Sequence, residues 1–209
     1  MNKTAELVNL WAAFEEIHPE AGIDDFCRHH LASKREKKLL FDGELPPRPD
    51  IALTKLMDRF ARLHMIYIQT ALEDMELQHF EEFSLLSAIA NLQMPRKTEV
   101  IYHTINELST GLSLLKGLEK KGYIKEKDDM TDKRSKRLSL TKKGEQVLQN
   151  CYIKFSMVPE MLFMEMRIED IELCIQLLKN IDIKFSKLWQ NHKGKPFSEV
   201  YSNITGRNP

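Results

Sequence analysis

The chain has 209 residues, and 42% of them are hydrophobic, which is enough to build a compact core. Basic and acidic residues number 31 each, so the chain lacks the overall basic excess that nucleic-acid-binding domains often carry. Because no run of about 18 uncharged apolar residues occurs, we expect no membrane-spanning helix.

The cysteines and the first residues indicate a reducing, intracellular setting. Cys27, Cys151 and Cys174 are far apart and show no CxxC spacing, which argues against a disulfide framework and against a closed zinc site. Residues 1–10 lack the uninterrupted apolar stretch of a secretory signal. We therefore expect a cytoplasmic protein.

Residues 1–49 are predicted to form an amino-terminal helical extension followed by a Pro-rich linker. Apolar residues at helical spacing predict a first helix around Trp11 and a second helix from about Ile23 to Leu40. The linker over 42–49 contains three prolines. We place a domain boundary near residue 49.

Four helices are predicted next, because apolar positions recur every three or four residues. A long helix over 50–75 is followed by shorter helices over 80–92, from Pro95 onward with the proline in the first turn, and over 107–121. Gly122 is expected to end the fourth of these helices in the left-handed conformation.

Two short strand-like segments follow, and together they predict a β-hairpin with a long, charged tip. They run from Tyr123 to Lys127 and from Lys136 to Leu140. The chain is therefore expected to be mainly α with a small β-hairpin, which is the composition of a winged helix protein.

The carboxy-terminal part is predicted to be helical. Thr141 is a suitable cap for a helix from Lys142 to about Val158, and Pro159 is expected to end that helix. A last long helix is predicted from Ile168 to Gln190. Residues 193–209 are expected to form a flexible tail.

The helix over 107–121 has two different faces. The apolar face carries Leu108, Leu115 and Leu118, and the polar face carries Ser109, Ser113, Lys116 and Lys120. A helix that enters the DNA major groove needs an apolar back for packing and a small, polar or basic front for bases and phosphates. The alternative is an ordinary amphipathic surface helix.

The hairpin tip carries a cluster of basic side chains. Residues 116–143 contain eleven lysines and arginines but only five acidic residues. Four of these cations lie at or next to the turn: Lys133, Arg134, Lys136 and Arg137. Such cations can contact phosphates or enter the narrow minor groove, although solvated charge is the alternative for an isolated basic turn.

Three consecutive stretches resemble the wing signature of MarR-family regulators. They are LEKKGYI at 118–124, the acidic and basic segment from Asp128 to Arg134, and LSLTKKG at 138–144. The resemblance covers about residues 50–190. It implies a winged helix-turn-helix with flanking dimerisation helices, and a homodimer in which the first and last of these helices interlock.

The resemblance also implies a division of the chain into functional parts. Residues 50–77 would be the first dimerisation helix, 78–144 the winged helix DNA-binding domain and 145–192 the carboxy-terminal dimerisation helices. Each winged helix lobe would insert its recognition helix into one half of a palindromic operator in double-stranded DNA.

Individual DNA contacts follow from the same resemblance by position. Ser109, Thr110 and Ser113 match the base-reading stretch, and Lys116 matches a phosphate contact. Asp132 and Arg134 match the wing pair, in which the acid orients the arginine for the minor groove. Further phosphate contacts are expected from Lys133, Lys136 and Arg137.

Two features depart from the family pattern. Leu112 occupies a position that is often polar in the family, and it could either pack inward or touch a thymine methyl group. The recognition helix also lacks an arginine, the commonest reader of guanine, so specificity is expected to depend more on operator shape and on the wing.

Other chemistries find little support in the sequence. Cys27 lies beside Arg28, His29 and His30, which suggests a redox-sensing thiol or a zinc ligand, but an inert packed thiol is the simpler interpretation. No phosphate-binding Gly-rich loop, nucleophile elbow or HExxH motif occurs. We therefore expect no enzyme activity, no metal and no cofactor.

The sequence thus predicts a DNA-binding transcriptional regulator, more specifically a repressor that a small-molecule effector releases from DNA. In this scheme the effector favours a spacing of the two lobes that no longer matches the operator. The alternative is a winged helix that serves as a protein-interaction module without sequence-specific DNA binding.

Overall fold

The computed structural model describes residues 2–33, 48–129 and 135–209. Within these ranges the chain forms nine helices and one two-stranded antiparallel sheet. The elements in chain order are α1 (Lys3–Ile17), α2 (Ile23–Ser33), α3 (Pro49–Leu72), α4 (Phe80–Leu92), α5 (Lys97–His103), α6 (Leu108–Lys120), β1 (Ile124–Asp128), β2 (Lys136–Leu140), α7 (Lys142–Phe163), α8 (Ile168–His192) and α9 (Phe197–Thr205).

The chain divides into two compact units, one up to Met57 and one from Asp58 onward. The first unit holds α1 and α2, which pack through a small aromatic core. Phe14 and Phe26 are buried, with their ring centroids 5.5 Å apart, and Trp11 meets Phe26 edge-on at 5.3 Å. Such ring pairs stabilise the packing of the two helices.

The second unit is built around one continuous apolar core. Its fully buried side chains come from α4, α5, α6, β2 and α7, and include Leu85, Leu86, Val100, Ile101, Leu115, Leu118, Leu138 and Cys151. Gly111 lets α6 approach α5 closely, because a Cβ atom at this position would lie 2.6 Å from Cγ1 of Ile101. The core therefore fixes α6 against α5 and leaves the opposite face of α6 free.

The hairpin is docked onto the helices along β2. Its register pairs Ile124 with Leu140 and Asp128 with Lys136. The backbone N–H of Leu138 donates a hydrogen bond to the carbonyl oxygen of Pro95 (2.8 Å), and an isolated bridge pairs Arg96 with Arg137. The segment before α5 thus acts as a short third strand beside the hairpin, which gives the three-helix-plus-wing arrangement that the sequence predicts.

The structure corrects two expectations about the carboxy-terminal part. Pro159 does not end α7, which continues to Phe163, because Val158 and Leu162 pack on the core on both sides of the proline and outweigh the one lost hydrogen bond. Where a flexible tail was expected after residue 192, α9 forms between Pro196 and Gly206, and Gly206 closes it with a φ of 67°.

Two further expectations concern the length of α2 and the absence of a membrane-spanning helix. The described part of α2 ends at Ser33, so its predicted continuation to Leu40 lies outside the described residues. No helix in the described ranges combines the length and apolar character needed to cross a membrane.

Candidate nucleic-acid interface

Helix α6 presents a polar and basic face to the outside. Its 13 residues span about 20 Å, close to the length of a helix that can lie in one turn of the major groove. Gly111, Leu115 and Leu118 are buried on the inner face. The exposed face carries Ser109, Thr110, Ser113 and Lys116, the residues that the sequence analysis assigned to DNA contacts.

The end of α6 is fixed by a left-handed glycine. Gly122 has a φ of 74°, and the N–H of Tyr123 donates back to the carbonyl oxygen of Leu118 (3.0 Å). The predicted helix ending at Gly122 is therefore confirmed. Reversal of the chain here turns the backbone from α6 directly into β1.

The start of α7 is tied to the end of α6 through Thr141. Its hydroxyl donates to the carbonyl oxygen of Gly122 (2.6 Å) and accepts from the N–H of Gly144 (3.0 Å), so Thr141 caps α7 as predicted. A side chain at Gly144 would overlap the carbonyl oxygen of Tyr123. The Leu-Thr-x-x-Gly pattern thus allows α6, the hairpin and the start of α7 to pack closely against one another.

A partly buried ion pair between Lys121 and Glu82 connects the end of α6 to α4. Lys121 donates to Oε1 of Glu82 at 2.6 Å, and the N–H of Gln78 donates to Oε2 at 2.8 Å. Burial alone would raise the pKa of Glu82, which is 4% exposed, but the hydrogen bonds from Lys121 and Gln78 outweigh burial and keep that pKa below its usual value. Lys121 therefore helps to hold the end of α6 against α4.

A second polar contact lies beside this ion pair. The hydroxyl of Tyr123 donates to Oε2 of Glu76 at 2.9 Å, and burial together with this carboxylate raises the pKa of Tyr123 to about 12. Burial also raises the pKa of Cys151 to about 11, so its thiol stays protonated and unreactive at neutral pH.

At the base of the wing, Arg137 is engaged by protein groups. Its Nε donates to Asp129 at 2.7 Å, its Nη1 donates to the carbonyl oxygen of Met94 at 3.2 Å, and Nη1 lies 3.5 Å from Glu99. Arg96 also contacts Asp129, at 3.3 Å, and the Asp129 side chain is only 4% exposed. This cluster joins the hairpin to the segment before α5.

Sequence reasoning missed this role for Arg137 because Asp129 looks like one more surface carboxylate in a charged stretch. The only signal available was the pair of acids, Asp128 and Asp129, in front of a basic cluster. Asp128 instead pairs with Lys136 on the exposed side of the hairpin, and this partner raises the pKa of Lys136. Asp132, Lys133 and Arg134 lie outside the described residues.

Comparisons with known proteins show which folds this arrangement of helices and hairpin resembles. Residues 84–144, which run from α4 to the first turn of α7, match the family model described as a winged helix DNA-binding domain. No curated protein matches the chain by sequence at a significant level. Many solved structures match it in three dimensions.

Three of these structures illustrate the likeness. A MarR variant from E. coli in complex with operator DNA has a TM-score of 0.58 and 18% identity, covering 63% of this chain and 94% of that one. PcaV from Streptomyces coelicolor with its natural ligand has a TM-score of 0.56 and 15% identity, covering 68% and 97%. A MarR-family regulator from a Rhodococcus species has a TM-score of 0.58 and 15% identity, covering 65% and 96%.

The chain therefore has the MarR fold. The resemblance drawn from the wing signature is confirmed at this level, although the identities are low. Nearly the whole length of each of these three chains is matched, whereas about a third of the present chain lies outside each match. The MarR fold is thus complete here and carries additional residues.

Among the described residues, the cysteines and histidines do not assemble into a second site. Cys151 is buried, whereas Cys174 and Cys27 are exposed, and all three are free thiols. Cys27 is therefore not the packed thiol that the sequence favoured, because it lies on the outer side of α2. No group of three or more potential metal ligands occurs in the part of the chain that the structure describes. His29 packs against the ring of Phe14, with the centroids 5.0 Å apart, and so takes part in the small aromatic core.

Proposed function

We propose that this protein is a homodimeric transcriptional regulator of the MarR type that represses transcription by binding a palindromic operator in double-stranded DNA. The observation that carries the proposal is the exposed polar and basic face of α6, presented next to a basic hairpin in a MarR fold. Each lobe places α6 in the major groove and its hairpin over the adjacent minor groove.

The proposed contacts divide into base reading and backbone positioning. Ser109, Thr110 and Ser113 have short side chains that can approach base edges, and Lys116 reaches a phosphate. In the wing, Arg134 enters the minor groove with Asp132 orienting it, and Lys133 and Lys136 contact phosphates. Arg137 is assigned a positioning role, since Asp129 and the carbonyl oxygen of Met94 already bind its guanidinium.

A homodimer is proposed because the long helices leave large apolar side chains exposed. In the described ranges, α3 exposes Leu53, Leu56, Met57, Phe60, Leu63, Met65, Ile66 and Tyr67, and α8 exposes Ile168, Leu173, Ile175, Leu177, Ile181, Ile183 and Phe185. None of the α8 residues is buried. Monomeric proteins rarely leave so many large apolar side chains exposed on single helices, and a second copy of the chain would cover them.

Regulation by a small molecule is proposed from a cleft between α8 and the winged helix lobe. The cleft has a volume of about 810 Å³, and Tyr102, His103, Asp182 and Lys187 are among its lining residues. Nearby, Trp189 meets the ring of Tyr102 at 6.1 Å, and Lys193 pairs with Glu107, the residue that caps α6. A ligand in this cleft would bias the position of α6 relative to α8, and hence the spacing of the two lobes.

The proposal is tested by measuring DNA affinity as a function of salt. The probe is the DNA that flanks the protein's own gene, and the wild type is compared with a Lys133→Ala/Arg134→Ala double variant. Affinity is expected to fall steeply with salt, with a slope of about −0.9 per phosphate contact, and the double variant should bind more weakly with a slope that is smaller by about 2.

A matched control removes two cations elsewhere. The Lys3→Ala/Arg28→Ala variant has the same change in net charge but alters the exposed side of α1 and α2. It should bind DNA as the wild type does. Absent or salt-insensitive binding by the wild type would contradict the proposed role in transcription and favour a protein-interaction module. The zero net charge and the additional amino-terminal helices are the features that support this alternative.

A further inference from the structure

Leu112 stands out on the outer face of α6. The helix contains five leucines, and four of them, Leu108, Leu114, Leu115 and Leu118, belong to the core or pack against it. Leu112 does not belong to that cluster and is 41% exposed. The structure thus decides between the two orientations that the sequence left open, because Leu112 does not pack inward.

The surroundings of Leu112 prevent it from turning inward. Its neighbour Gly111 faces Ile101 at a separation that leaves no space for even a methyl group. Because successive helix residues are about 100° apart, the contact at Gly111 directs Leu112 towards the outer face. Ser109 and Lys116 are its exposed neighbours at i−3 and i+4, so the leucine lies within the proposed base-reading surface.

We infer that Leu112 is a specificity-determining residue that packs against the C5-methyl group of a thymine in each operator half-site. The inference rests on the proposed function, because it requires α6 to lie in the major groove. The thymine methyl is the apolar feature that bases present in this groove, and an isobutyl side chain fits it while offering no hydrogen bond to any other base edge. An exposed leucine in a polar reading face therefore selects thymine.

The magnitude follows from the size of one methyl group. Removing a buried methyl contact changes affinity by about fourfold for each half-site, and by about 15-fold when both half-sites are changed. Uracil supplies the matched change in DNA, because it pairs with adenine as thymine does and lacks only the methyl group.

The experiment uses the full-length protein and a duplex that this protein has selected from random-sequence DNA. Each thymine of the duplex is replaced in turn by deoxyuridine, and binding is measured for the wild type and for Leu112→Ala. The wild type should lose about fourfold in affinity at one position of each half-site, and Leu112→Ala should bind the thymine and uracil duplexes equally. Leu112→Met, which keeps an apolar side chain of similar size, should retain the preference.

A second variant separates this contact from general weakening of the interface. Ser113→Ala should lower the overall affinity yet keep the preference for thymine over uracil. If the wild type binds DNA in a salt-sensitive way but shows no uracil penalty, or if Leu112→Ala keeps the penalty, the inference is overturned while the proposed function stands. If the wild type selects no DNA sequence, both fail together.

Discussion

At the scale of single residues, Gly144 is a position where the fold leaves no space for a side chain. It lies in the first turn of α7 against the carbonyl oxygen of Tyr123, where a Cβ atom would overlap backbone that cannot move without shifting β1. We expect Gly144→Ala to lower the free energy of unfolding by about 2–3 kcal/mol, as other overpacked sites do. Chemical denaturation followed by circular dichroism measures this change.

Gly117 provides the matched control for this substitution. It lies inside α6, and a Cβ atom there would meet nothing within 4 Å. Gly117→Ala should therefore raise the free energy of unfolding by about 0.5–1 kcal/mol, because alanine is the better helix former. A Gly144→Ala variant that is as stable as the wild type would show that the joint between α6 and α7 is looser than the contact with Tyr123 requires.

At the scale of elements, the attachment of the wing depends on Asp129. This buried carboxylate binds Arg137 of β2 and Arg96 in front of α5, so it holds the hairpin at a fixed angle to the lobe. Asp129→Asn keeps the shape and removes the charge. We expect it to weaken DNA binding by about tenfold, since a pair of arginines without their carboxylate no longer fixes the hairpin.

Salt dependence distinguishes this positioning role from a phosphate contact. Lys136→Ala removes an exposed cation of the hairpin and should reduce the salt slope by about 1, whereas Asp129→Asn should leave the slope unchanged while lowering the affinity. Affinity titrations at several salt concentrations compare the two variants. Wild-type affinity in Asp129→Asn would mean that the hairpin keeps its position without this cluster.

The same element shows which features a sequence can reveal. Gly122 and Thr141 were predicted correctly because helix endings and caps depend on residue types a few positions apart. The role of Arg137 depends on Asp129, which becomes buried only when the hairpin docks against Pro95 and Arg96. Periodicity alone could not decide which way Leu112 points, since that follows from the contact between Gly111 and Ile101 on another helix.

The predicted helix boundaries in the carboxy-terminal part were wrong for a related reason. Local preference favours an end at Pro159, but packing of Val158 and Leu162 on the core carries α7 further. In α9 the apolar residues Phe197, Val200, Tyr201 and Ile204 recur at helical spacing, but with 9 residues between a proline and a glycine this pattern is too short to predict a helix. Patterns in one sequence do not show tertiary contacts, and they predict short helices less well than long ones.

At the scale of the whole molecule, the exposed apolar side of α8 requires a partner surface. Ile181 is 51% exposed and lies about 40° around the helix from Phe185, which is 43% exposed, whereas the exposed Gln176 lies about 140° from Ile181, beside Glu172 and Lys179. Burying a leucine-sized side chain contributes about 1.5–3 kcal/mol, and a carboxylate buried without a partner reverses that gain. Ile181→Glu should therefore convert the proposed dimer into monomers.

Light scattering coupled to size-exclusion chromatography measures the mass of each variant, and Gln176→Glu supplies a control with the same added charge on the polar side of α8. The control should remain a dimer with wild-type DNA affinity. Ile181→Glu should elute as a monomer and lose most of its affinity for a palindromic site, because two linked lobes bind two half-sites far more tightly than one lobe binds one. A monomeric protein that still binds the palindrome at wild-type affinity would require each lobe to act alone, and the apolar side of α8 would then need a different partner.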